Sequence, residues 1–207
     1  MTTTQIRTQI RHQRILDAAL SVFSRRGYRE ASVDDIASEA QTSKGGVYFH
    51  FPGKQAIFLA LLDRSADLLL GRVASRVEAE PDPIAKVDVG LRVLFRAFAS
   101  HRVLARLFVV EALGAGPEFH AKMNEIHGRF AAFIRHNLDE AVRQGIIPPL
   151  DTEVASFAWF GALNQVVIRW VLDEGIDLED AYEPLRRLLL RSVGAPAPSS
   201  PLGAGHD

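Results

Sequence analysis

An all-α fold follows from three observations on the 207-residue sequence. Apolar residues recur at three- and four-residue steps over most of its length, most cleanly as Phe119, Met123, Ile126, Phe130, Phe133 and Leu138. Pro and Gly clusters punctuate those stripes at Pro52-Gly53, 81–83, 113–117 and 146–150. The one stretch of strand-like composition, Val47-Tyr48-Phe49-His50-Phe51, has no neighbouring strand to pair with, so it too reads as helix.

In chain order, Ile15, Leu16, Ala19, Leu20, Val22 and Phe23 predict an amphipathic helix over 8–26, and Gly27 supplies its stop. Ser32 is a good N-cap for a short helix, VDDIASEA, whose Asp34 and Asp35 suit the positive end of the helix dipole. Gln41-Thr42 breaks that helix, and Ser43 caps a second short one ending before Pro52-Gly53. Two helices of about two turns, joined by a tight turn and preceded by a longer helix, make a helix-turn-helix unit. A long helix over 54–80 carries Ile57, Leu61, Leu62, Leu69, Val73 and Val77, and the PDP segment at 81–83 ends it. Further helices are expected over 84–100, 102–113, 117–144, 152–174 and 177–193. The Pro-, Gly- and Ser-rich segment 194–207 reads as a disordered tail. The expected division is 1–53, 54–193 and 194–207.

Composition is that of a soluble globular protein: 47% hydrophobic, 24% charged, formal net charge −1. The charge is uneven, since residues 1–54 hold eight Lys and Arg against five Asp and Glu. A basic N-terminal segment on an acidic body points to a polyanionic partner at one end. Absence of cysteine excludes disulfides, thiolate metal sites and a cysteine nucleophile. The N-terminus lacks the apolar core of a secretory signal. The longest apolar run, 155–172, includes Asn164, Gln165 and Arg169, and reads as a deeply buried helix rather than a membrane span. The expected location is the cytoplasm.

The segment IASEAQTSKGGVYFHFPGKQAIF (36–58) resembles the DNA-binding segment of the tetracycline-repressor (TetR) family of bacterial regulators. The matching features are Ile36-Ala37, the Thr42-Ser43-Lys44-Gly45 turn, Val47-Tyr48, His50-Phe51 and Lys54. Gln41-Thr42 departs from it, standing where many members have Gly-Val, and Gly46 stands where small or hydroxyl residues are common. The resemblance implies an N-terminal three-helix DNA-binding domain, a helical effector and dimerisation domain, and operator contacts from Ser32, Val33, Thr42, Ser43, Lys44, Gly45, Gly46, Val47, Tyr48, His50 and Lys54.

The residue chemistry agrees. A recognition helix enters a groove about 12 Å wide, so its outer face needs little bulk and short donors. Gly45 and Gly46 remove side chain there, at roughly 1 kcal/mol each in helix propensity with no evident structural return. The hydroxyls of Thr42 and Ser43, with Lys44, Tyr48, His50 and Lys54, can donate to phosphates, and Val47 can touch a thymine methyl. Phe49 and Phe51 are expected to anchor the helix inward. Tyr48 either packs or meets phosphate, and His50 either caps the helix or meets phosphate. Arg7 and Arg11 form either a basic arm or a solvated face.

For the second half, the resemblance implies a homodimer and a small-molecule pocket whose occupation weakens DNA binding. Apolar pocket candidates are Phe95, Phe98, Phe108, Met123, Ile126, Phe130, Phe133 and Trp159, each equally readable as plain core; Arg106 is the polar candidate. The run FGALNQVVIRWVL (160–172) looks similar to the corresponding helix of fatty-acid-responsive regulators, which bind acyl-CoA. Arg102, Arg106 or Arg169 would then meet CoA phosphates; alternatively Asn164 and Gln165 are interface polar groups and Arg169 pairs with Asp173. Because helix 152–174 is apolar on nearly all sides, one face needs a partner, most simply a second copy, through Phe160, Leu163, Asn164 and Val167.

Other classes find little support. No GxSxG, HExxH or phosphate-cradling glycine loop is present, so no catalytic residue and no cofactor is assigned. His120 and His127 lie two turns apart, about 10 Å, too far to share one ion with Glu125, and no metal is expected. An architectural DNA binder would not need the long apolar second half. The reading is a repressor released from a palindromic operator by an apolar effector, acyl-CoA or fatty acid, the alternative being a regulator of an efflux or catabolic operon with another apolar or aromatic ligand.

Overall fold

A computed structural model of the protein describes residues 3–111, 116–173, 175 and 177–195, and every regular element there is helical. In order they are α1 (Thr3–Glu30), α2 (Val33–Glu39), α3 (Lys44–His50), α4 (Lys54–Val77), α5 (Pro83–Ala99), α6 (Arg102–Arg106) continuing into a π-helical turn (Leu107–Glu111), α7 (Pro117–Arg143), α8 (Thr152–Leu172) and α9 (Leu178–Ser192). The expected tail lies outside the described residues from 196 onward.

The ends follow local chemistry. Asp151 and Asp177 cap α8 and α9 by accepting from the backbone N–H groups of Val154 and Glu179. The helical pattern of α1 starts earlier than expected and runs three residues beyond Gly27, but Gly27 itself is non-helical, at φ 75° and ψ 167°, so the expected break is real. The expected helix over 102–113 is instead a short α segment followed by a π turn from Leu107, and 112–115 lie outside the described residues. Helix α4 ends at Val77, three residues short of the expected end.

The chain packs as two compact units, one of residues up to 72 together with 97–127, the other of 73–96 with 128 onward. In the first, an aromatic cluster joins α1, α4 and α7. The Tyr28 ring stacks on Phe58 at 4.8 Å, and Phe119 meets both, at 5.3 Å and 5.4 Å. Phe23 completes it at 5.2 Å from Phe58. Such pairs add about 0.5–1.5 kcal/mol each beyond burial. This cluster draws the start of α7 into the same unit as the helix-turn-helix, so the compact unit extends past residue 53.

In the second unit, α5 approaches α7 closely at Gly90, where a Cβ would lie 2.8 Å from Cε1 of Phe133. Asp88 accepts from Tyr182 Oη at 2.7 Å and from Arg186 Nε, tying α9 to α5. Burial and that carboxylate push the Tyr182 phenol far up. Helix α8 is long and apolar enough, by length and composition, to cross a membrane. It is not deeply buried as expected. One stripe, Ser156, Trp159, Leu163, Val167, Trp170 and Val171, is buried, while Val154, Phe157 and Leu172 are exposed. Apolar residues all round the helix set no single inner face, so only one stripe is covered.

Candidate nucleic-acid interface

Helices α2 and α3 are held at their starts by side-chain caps. The Ser32 hydroxyl accepts from Asp35 N at 3.1 Å, and the Asp35 carboxylate accepts from Ser32 N at 3.0 Å, a reciprocal capping box. That Ser32 hydroxyl, its backbone N–H and Arg26 hold the Asp35 carboxyl below its ordinary value. Ser43 caps α3 by accepting from Gly46 N at 3.1 Å.

Between the caps, α2 closes as a Schellman turn: Gln41 N donates to Ser38 O, and Thr42 N to Ala37 O. The turn puts Gln41 at φ 52°, the only positive φ at a non-glycine among the described residues. This is the position at which the resemblance departs from Gly, and a left-handed residue with a Cβ costs about 1–2 kcal/mol. Arg14 offsets part of that cost by donating to Ala40 O at 3.2 Å and to the Gln41 amide oxygen at 3.4 Å.

The short helix turns two residues inward. Val47 is fully buried and Phe51, just after the last turn, is buried with it. Val47 therefore has no surface for a thymine methyl, contrary to expectation. Phe49 is corrected the other way: it is 79% exposed and anchors nothing. The signal was available, because Val47 and Phe51 at i and i+4 fix the inner face, and Phe49 lies about 200° round from Val47. Tyr48 is 47% exposed beside it. Gly45 opens the same surface, where a Cβ would meet nothing nearer than Ser43 Oγ at 3.9 Å.

Gly46 differs from Gly45. A Cβ there would lie 2.5 Å from Thr42 Oγ1, so a larger residue requires the Thr42 hydroxyl to turn away. Ser32 has its hydroxyl engaged in the capping box, and Val33 is half-buried beside it. Lys44 donates to Asp34 at 2.8 Å, and that carboxylate raises its pKa. Lys54 closes the end of α1, donating to the carbonyls of Tyr28 and Arg29 at 2.8 Å and 2.9 Å, with its ammonium 4.7 Å from the Tyr28 ring centroid. Its place is that of a helix-end cation rather than an outward phosphate donor. His50 does not cap α3; Phe51 does, and the His50 ring faces His12 of α1, centroids 6.1 Å apart. Burial, then His50 and Arg64, push His12 down.

The expected ligand residues fall in both units. Met123 and Ile126 are buried in the first, Phe98 and Phe108 are half-buried there, and Arg106 is exposed. In the second, four have packing partners: Phe95 meets Tyr182 at 5.3 Å, Phe130 stacks on Phe160 at 5.7 Å, Phe133 fills the space over Gly90, and Trp159 donates to Ser192 Oγ at 3.1 Å. Of the expected interface residues, Leu163 and Val167 are 2% and 0% exposed, which leaves them no surface for a second copy. Phe160 and Asn164 are half-buried, and the large apolar residues exposed on α8 are Val154, Phe157 and Leu172. Of the metal candidates, Glu125 pairs with Lys122 at 2.6 Å, and burial lowers the pKa of His127.

Comparison with known proteins follows the same lines. The model of bacterial regulatory proteins of the tetR family matches residues 15–61, and that of a tetracyclin repressor-like C-terminal domain matches 80–193. A fatty acid metabolism regulator protein of Bacillus subtilis is 25% identical over 185 residues, covering 88% of this chain and 95% of that protein. The HTH-type transcriptional regulator EthR of Mycolicibacterium smegmatis is 32% identical over 146 residues, 68% of this chain and 67% of that one. The crystal structure of the regulator FadR from Bacillus subtilis in complex with stearoyl-CoA superposes with a TM-score of 0.79 at 25% identity, covering 89% of this chain and 99% of that chain.

Proposed function

This chain belongs to the tetR family of bacterial regulatory proteins, ligand-responsive transcriptional regulators, and from that premise we propose how it reads DNA and what releases it. Residues 1–53 form the DNA-binding domain and 54–193 the effector and dimerisation domain, acting in the cytoplasm as a repressor. The observation that carries the reading is the outer face of α3, where Gly45, Tyr48 and Phe49 stand exposed around a helix held inward by Val47 and Phe51.

On that face, Tyr48, Ser43, Thr42 and Lys44 meet phosphates and set register, while the Phe49 ring reaches a thymine methyl, an apolar contact that reads sequence. Two copies pair through the exposed side of α8, adding Val154, Phe157 and Leu172 to Phe160 and Asn164. Their recognition helices then fit successive major-groove turns of a palindrome, about 34–36 Å apart.

The effector is an apolar molecule of the acyl-CoA class, supported by the stearoyl-CoA complex of the similar FadR protein. Phe98, Phe108, Met123 and Ile126 are the apolar residues offered to the acyl chain, and Arg106 the cation offered to phosphate. Binding shifts α4 and so the spacing of the recognition helices, to the extent that the ligand prefers the released state. No chemical turnover of the effector accompanies this.

A selection from random duplex DNA tests the reading. It predicts enrichment of a palindrome and loss of the complex on adding stearoyl-CoA. Release by small aromatic compounds but not by acyl-CoA transfers the protein to another effector class, and failure to enrich any sequence overturns the regulator reading.

A further inference from the structure

The turn between α2 and α3 is gripped from α1 by one side chain. Arg14 crosses to it and donates from Nη2 to Ala40 O at 3.2 Å and to the Gln41 amide oxygen at 3.4 Å. Gln41 is the residue that carries the left-handed backbone, at φ 52°. Glycine takes that conformation freely, whereas a residue with a Cβ takes it against a bias of about five- to thirtyfold. The two backbone bonds that close the turn, from Gln41 N to Ser38 O and from Thr42 N to Ala37 O, belong to that left-handed form.

The aim of α3 depends on this turn at the start of the helix more than at its end. Val47 and Phe51 are buried and fix the later part. Ser43, Lys44 and Gly45 are exposed. The pair that ties them to α2, Lys44 with Asp34, is exposed on both sides, where ion pairs contribute little.

We propose that Arg14 is a positioning residue for DNA reading: by clamping the left-handed turn to α1 it fixes the start of the recognition helix. A glycine at position 41 would make the clamp unnecessary. The inference rests on the regulator reading and deepens it, from the face that touches DNA to the residue that aims that face. Without the clamp, Gln41 leaves the left-handed region in part of the population and the turn opens there. Only the remaining fraction presents α3 correctly, and apparent operator affinity falls by that fraction. Binding to DNA of unrelated sequence is carried by charge and falls less, so the operator is discriminated less well.

Two substitutions isolate the role. Arg14→Met removes the donors from an exposed side chain, and Gln41→Gly removes the backbone bias. The test is anisotropy of the selected operator duplex and of an unrelated duplex of equal length, at several salt concentrations. Wild type, both single variants and the double variant are compared, each first shown by circular dichroism to be folded. Arg14→Met is expected to bind the operator about three- to tenfold more weakly, with a smaller loss on unrelated DNA. In the Gln41→Gly background the same substitution is expected to cost at least about threefold less, since the loss of one positive charge acts in both backgrounds and cancels. Equal losses in the two backgrounds overturn the proposal, and a salt slope lowered by about one would then mark Arg14 as a phosphate contact instead. No loss in either background overturns it as well. Operator binding by wild type leaves the regulator reading standing in all of these outcomes, whereas wild type that selects no sequence removes the reading itself.

Discussion

Helices α3 and α8 both present apolar side chains to solvent, on different terms. Helix α3 is seven residues long and exposes one phenyl ring next to a bare glycine and a ring of donors. Helix α8 is 21 residues long and exposes Val154 and Phe157 near its start and Leu172 at its end, with Gln165 and Arg169 exposed between them. A lone ring among donors suits a polar groove that offers an occasional methyl group. A long side that alternates large apolar residues with polar ones suits another protein surface. The surroundings of an exposed residue therefore say more about its partner than the exposure does.

The two faces of α8 sharpen that comparison most. Trp159→Glu places a carboxylate at a buried site and removes the bond to Ser192, at a cost of more than about 4 kcal/mol; denaturant titration should find the second unit unfolded. Phe157→Glu, on the exposed side, should leave the protomer folded and give a monomer by light scattering where wild type gives the proposed dimer, its melting temperature falling only by the contribution of association. Phe157→Glu that remains dimeric would detach that face from the second copy. Next in size, Gly90→Ala forces a methyl group against Phe133 and should destabilise by about 1–3 kcal/mol, read from the urea midpoint.

Smaller effects belong to the recognition segment. Gln41→Gly relieves a left-handed residue and should raise stability by about 1 kcal/mol, less whatever the Arg14 bond contributes; a loss of stability would show that this bond dominates the turn. Phe49→Ala should cost roughly fivefold in operator affinity, about 1 kcal/mol, and relax preference at one thymine, measured by competition between single-base variants. Tyr48→Phe should weaken every sequence about equally, since phosphate contacts carry no base information.

The helix-turn-helix was readable because its signals are local. Ser32 and Ser43 cap within three residues of themselves, and both caps are present as expected. Phe49 was also readable from the Val47–Phe51 spacing, but strand-like composition obscured the helical face. The places of Lys54 and His12 were not readable. Each depends on a neighbour set by tertiary packing: the carbonyls that end α1 and the His50 ring at the end of α3. On α8 the apolar period supplies no direction: Leu163 and Val167, expected to face a second copy, are buried within the chain.

The most direct measurement is anisotropy of the selected duplex with wild-type protein at 50 and 200 mM salt, each with and without stearoyl-CoA. If about four phosphates are neutralised, affinity should fall about a hundredfold between the two salts, and stearoyl-CoA should release the complex at either. Affinity that ignores both salt and stearoyl-CoA would contradict the account.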